Sequence, residues 1–174
     1  KKPMKFNFTA TQVKTGDYIV TDDVKCTIPS IEFKETDLSS NAGTYKKLSD
    51  KITFKEFPQA GKYEYTVNES ATTEPAIANS EHQKLIMSQA EYKMDVYVVE
   101  KAGTLAIDKI IVNKTKDDNN GPATGKVDIG GDVNGNGFNF VNTYVQEAGT
   151  GTDPTDPDPT YNKFGSLNVS KKIV

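Results

Sequence analysis

The sequence predicts an all-β fold, an antiparallel β-sandwich, on three observations. Short stretches alternate apolar and polar residues with the period of two that a half-buried strand requires. Gly, Asn, Asp and Pro recur between those stretches as turn signals. Tyr, Phe, Val, Ile and Thr are plentiful, a profile that suits pleated surfaces better than helices. No strong helical period alternates with the strands, so a parallel α/β fold is not expected.

The elements follow in order. Phe6-Asn-Phe-Thr-Ala-Thr-Gln-Val13 alternates and reads as one strand. Thr15-Gly-Asp17 signals a turn, with Tyr18-Ile-Val20 pairing beyond it. Ile31-Glu-Phe33 and Lys51-Ile-Thr-Phe54 alternate again, and the stretch Ser39-Ser-Asn-Ala-Gly43 between them is a loop. Phe57-Pro-Gln-Ala-Gly61 turns the chain into the strand Lys62-Tyr-Glu-Tyr-Thr-Val67. Residues 70–90 are mixed and polar, with a short helix expected over 80–88. Stretches 92–99 and 105–112 predict a hairpin about Lys101-Ala-Gly103. Residues 113–137 are rich in Asn, Asp and Gly and read as a long loop. Phe138-Asn-Phe-Val-Asn-Thr-Tyr144 closes the domain as a strand.

A different material comes next. The stretch Gly149-Thr-Gly-Thr-Asp-Pro-Thr-Asp-Pro-Asp-Pro159 stiffens the chain through Pro and repels itself through Asp. The expected organisation is a sandwich domain over 1–145, a linker over 146–163 and a lone strand over 164–174. In that strand Leu167-Asn-Val-Ser-Lys-Lys-Ile-Val174 alternates. A lone strand is not a domain, so it must pair with something.

Composition excludes several functions. The chain of 174 residues has a net charge of −3, and all 21 basic residues are Lys. That balance offers no basic face to a nucleic acid. Cys26 is the single Cys, so no internal disulfide forms and no Cys-based metal site is expected. It reads as a small core residue. His82 is the single His and sits in a polar stretch, which argues against triad chemistry and a His-rich metal site. It reads as a solvated loop residue. The apolar runs are too short to cross a bilayer, and no leader segment is recognisable. No cofactor and no metal are expected.

Three motifs stand out together: Gly61-Lys-Tyr-Glu-Tyr-Thr-Val-Asn-Glu69, Phe138-Asn-Phe-Val-Asn142 and Leu167-Asn-Val-Ser-Lys171. Together they resemble the isopeptide-linkage domain of streptococcal-type backbone pilins, related to the collagen-adhesin B-type (CnaB-like) modules. The resemblance covers residues 1–145 and implies an Ig-like, CnaB-like sandwich. It implies that Glu69 is the catalytic acid, Asn142 the acceptor amide and Lys171 the amine. It further implies a structural shaft subunit of a Gram-positive pilus, secreted and anchored at the cell wall. Its partners would be other pilin subunits joined by a sortase. The chain would be no enzyme in the turnover sense, because the cross-link is made once.

That chemistry accounts for the residue types. A neutral Lys amine must attack a carboxamide and expel ammonia. Burial disfavours the ammonium form and holds a carboxylic acid in its neutral form. A neutral Glu69 would then hydrogen-bond the Asn142 carbonyl and shuttle the proton. Fixed strands would supply effective molarities of about 10⁵ M or more. A link between terminal strands would also constrain the unfolded chain by about 4 kcal/mol, as a disulfide does. Read without the resemblance, Glu69 would cap a strand end in solvent and Asn142 would satisfy a turn.

The sequence departs from the family in one respect. The family's Lys strand comes first, whereas here it lies at the C-terminus. Either Lys171 serves a second domain, or strand 167–174 fills the first-strand slot in this chain or in a neighbour. Residues 145–163 span roughly 60 Å when extended, enough for either. Alternation favours Lys171 over Lys172, and Lys1, Lys2 and Lys5 are fallback amines. Lys126 is the candidate for sortase linkage, against the simpler reading of an ordinary loop Lys. Asp132-Val-Asn-Gly-Asn-Gly137 opens like a calcium loop, but Thr143 stands where the closing Glu belongs, so a plain loop is the reading. Two other functions use the same fold. A host-binding adhesin would employ loops 70–90 or 113–137, and a glycosidase would need two converging carboxylates that no sequence pair suggests.

Overall fold

The computed structural model describes residues 3–37, 43–80, 83–127, 137–149 and 161–173. The protein is all-β with mainly antiparallel sheets. The described residues form strands β1 (Met4–Phe6), β2 (Phe8–Gln12), β3 (Cys26–Thr27), β4 (Ile31–Phe33), β5 (Gly43–Leu48), β6 (Thr53–Phe54) and β7 (Gly61–Glu69). They continue with β8 (Gln83–Ile86), β9 (Glu91–Lys101), β10 (Thr104–Lys116), β11 (Lys126–Val127), β12 (Phe138–Gly149) and β13 (Tyr161–Ile173). One 3-10 turn, Glu35–Asp37, follows β4.

Two sheets make the sandwich. One has the order β11-β10-β9-β7-β2 and the other β5-β13-β12-β8. Two small pairs, β1-β4 and β3-β6, flank them. Aromatic rings bridge the layers. Tyr92 on β9 lies 5.3 Å from Phe138 and 5.4 Å from Phe140 of β12, both edge-on. Phe8 on β2 meets Phe140 at 5.2 Å. Such ring pairs contribute about 0.5–1.5 kcal/mol each beyond their burial. Cys26 is buried in this core, as read from the sequence, and desolvation pushes its thiol up to about 12.

Several expectations change. The first strand divides at Asn7: β1 pairs with β4, and β2 pairs with β7. Phe6 and Phe8 are both buried, Phe6 against Phe33 and Phe8 against Phe140, so the chain serves two sheets in succession. Tyr18-Ile-Val20 forms no strand. Tyr18 is 94% exposed with φ +64°, and only Val20 N–H reaches a strand, at Lys62 O, 2.7 Å. Nor do the described residues of 80–88 form the expected helix. Residues 83–86 are β8, because they pair along the edge of β12 and Leu85 is buried opposite Tyr144. The loop expected from 113 begins later, since β10 runs to Lys116 and β11 pairs back on it.

The C-terminal strand has an interior place. β13 lies between β12, to which it is antiparallel, and β5, to which it is parallel. Pairing of β12 with β13 continues to Gly149↔Tyr161. Residues 146–149 and 161–163, read as linker, are therefore strand, because each supplies the other's ladder partners. His82, Lys1, Lys2 and positions 132–136 of the calcium-like loop lie outside the described residues.

Candidate cross-linking site

Alternation along β7 puts Tyr63, Tyr65, Val67 and Glu69 on the core side. Glu69 thus ends an apolar row and is only 8% exposed. It does not cap a strand in solvent. The register pairs it with Phe8, whose ring meets Phe140 at a tilt. On β12, Phe138, Phe140 and Asn142 take the inward positions, and Asn142 is fully buried. Burying an amide is costly unless its polar atoms are bonded. Here both ends are bonded.

The Asn142 Nδ2 donates to Glu69 Oε1 at 2.8 Å. At the other end, the Ser88 N–H donates to Asn142 Oδ1. A main-chain N–H can only donate, so it selects the carbonyl oxygen and turns the nitrogen towards Glu69. The contact expected from the sequence, Glu69 to the Asn142 carbonyl, is therefore not the one formed. Glu69 faces the amide nitrogen.

Strand ends explain why Ser88 is there. β8 pairs with β12 only as far as Ile86↔Thr143. Beyond that point the chain leaves the ladder, and the Ser88 N–H meets a side chain instead of a backbone carbonyl. Ser88 Oγ donates to Asp118 Oδ1, and the same oxygen accepts the Val141 N–H at 2.8 Å. Gln89 N–H donates to Asp118 O at 2.9 Å. Tyr92 holds β12 two residues before Val141, its hydroxyl donating to Asn139 O (2.6 Å) and accepting from Asn139 N–H (3.0 Å). Burial pushes that phenol up to about 12.

The third expected member is placed by its backbone. Lys171 takes the register position opposite Phe140, and Val169 the position opposite Asn142. Lys172 pairs with Asn139. Lys5, a fallback amine, sits in a half-exposed ion pair with Glu74 at 3.5 Å. Lys126 is exposed on the short strand β11. Among the described residues no group of three His, Cys, Asp or Glu side chains comes together.

Sequence reasoning missed Ser88 and Asp118. Neither lies in a motif, and Ser88 is 54 residues from Asn142 and 30 from Asp118. No family model matches the chain, and a search of curated proteins returned no match.

Proposed function

We propose that the chain is a shaft subunit of a Gram-positive surface pilus, secreted, anchored at the cell wall and polymerised with other subunits by a sortase. In this reading one self-made bond between Lys171 and Asn142 ties β13 to β12. The observation that supports it best is the buried Glu69–Asn142 hydrogen bond, which joins a carboxyl to a carboxamide inside an aromatic core. A solvated strand-end Glu and a turn Asn would have no reason to meet there.

The reaction balances without a cofactor. The neutral Lys171 amine attacks Asn142 Cγ, the new C–N bond forms and the carbonyl electrons move onto Oδ1. Glu69 takes the proton from the attacking nitrogen and delivers it to Nδ2. The Cγ–Nδ2 bond breaks, ammonia leaves and the carbonyl re-forms. Each chain does this once.

A fibre under tension needs such a bond, because a ladder of hydrogen bonds yields strand by strand. The shaft role is tested by expressing the protein with a sortase in a Gram-positive host and labelling it with gold-tagged antibody. Label along the whole length of fibres is expected. Label confined to the cell surface or fibre tips overturns the shaft reading.

A further inference from the structure

We propose that the Ser88 main-chain N–H is the oxyanion donor of the cross-linking reaction, and that Asp118 is the positioning residue that aims it. The proposal rests on the reading of Glu69 and Asn142 as an isopeptide pair and assigns two further residues to that site.

The geometry carries the argument. The Ser88 N–H already meets Asn142 Oδ1, the atom that gains charge when an amine adds to Cγ. A donor fixed in a dry site stabilises that charge more than water would, since it need not reorient during the reaction. Ser88 is 5% exposed and Asn142 fully buried, so the site is dry. Glu69 does not supply this contact, because it holds the opposite end of the amide.

Asp118 fixes the donor from outside the ladder. One oxygen of its carboxylate accepts from Ser88 Oγ and from the N–H of Val141, the neighbour of Asn142. Its main-chain carbonyl accepts from Gln89 N–H, the neighbour of Ser88. One residue thus grips both segments next to the two atoms that must meet. Ser88 Oγ also accepts the Ala90 N–H at 3.1 Å, which holds the turn after β8. Lys114, 3.8 Å away, keeps Asp118 paired on its open side. Asp118 touches no reacting atom, so its part is to place the donor.

The test follows bond formation in the full chain. Wild type, Ser88→Ala, Asp118→Ala and Asp118→Asn are made in a short cell-free translation pulse. Loss of one ammonia is then timed by intact mass. Each substitution is also placed on Glu69→Ala, which removes the reaction, so that thermal unfolding and the Ser88 amide proton shift report the unreacted site. Asp118→Ala and Ser88→Ala are expected to slow cross-linking by about tenfold or more. Asp118→Asn keeps an oxygen for both donors and is expected to recover most of the rate. On the Glu69→Ala background the Ser88 amide proton is expected to move upfield when Asp118→Ala is added. A merely structural role would move the melting temperature but would not be rescued in rate by Asn. Wild-type rates in Ser88→Ala and Asp118→Ala overturn this inference and leave the isopeptide reading standing. A wild type that never loses ammonia overturns that reading, and this inference with it. Should Asp118→Ala fail to fold, the cross-linking rate of Ser88→Ala decides alone.

Discussion

Asn142 Nδ2 lies 2.8 Å from Glu69 Oε1, across 73 residues of sequence and across the two sheets of the sandwich. A carboxyl and a carboxamide are both expensive to bury, and each is placed here by strand alternation against rings that exclude water. The contact accounts for the position of Glu69 at the end of an otherwise apolar row.

Glu69→Ala should abolish the loss of ammonia and leave β13 held by pairing alone. The missing covalent tie is expected to cost about 4 kcal/mol in the loop-closure model. Chemical denaturation of the variant against wild type, at matched pH, measures it. A midpoint unchanged from wild type would show that no tie was lost.

Tyr65 supplies an independent check on the core. Its buried hydroxyl donates to Val24 O at 2.6 Å, joining β7 to the segment before β3. Tyr65→Phe leaves that carbonyl without its donor in a dry site and is expected to cost about 1–3 kcal/mol. The effect should appear equally on the Glu69→Ala background, because the two sites are separate.

Asp95 gives a dependence on pH. It is 6% exposed on β9, and desolvation raises its pKa, Lys93 opposing and Glu64 assisting. A carboxyl with a raised pKa binds its proton more tightly in the fold than in the unfolded chain. Its contribution is fully present below the ordinary value of 3.8 and is lost as pH rises through the folded value. Asp95→Asn should therefore gain stability over wild type at neutral pH, and the gain should vanish in acid. Thermal unfolding of both proteins across that range tests the sign.

Gly61 opens β7 with φ +141°, and a Cβ there would stand 2.5 Å from Val20 Cγ2. Gly61→Ala is expected to cost about 1–3 kcal/mol from backbone strain, plus the clash. Adding Val20→Ala removes the clash but not the strain. The double variant should recover only part of the loss, read from denaturation midpoints.

Local pattern made much of this legible. Alternation through 61–69 implies both the strand and the inward Glu69, and the hairpin at 101–103 appears with Ala102 at φ 51° and Gly103 at φ 78°. Tertiary pairing was not legible. Residues 83–86 carry one buried apolar side chain, Leu85, and become a strand through pairing with the distant β12. Asp118 lies in Lys116-Asp-Asp-Asn-Asn-Gly121, whose composition says loop and nothing about Ser88. The orientation of the Asn142 amide depends on that same distant Ser88 N–H, so motif reading reached the pair but turned the amide the wrong way.

The most direct measurement is peptide mapping of the purified full chain under denaturing conditions. The account predicts a mass one ammonia below that of the sequence and a single branched peptide joining Lys171 to Asn142, present in monomeric protein and absent from Glu69→Ala. The full sequence mass, with linear peptides containing an intact Asn142 and a free Lys171, would contradict it.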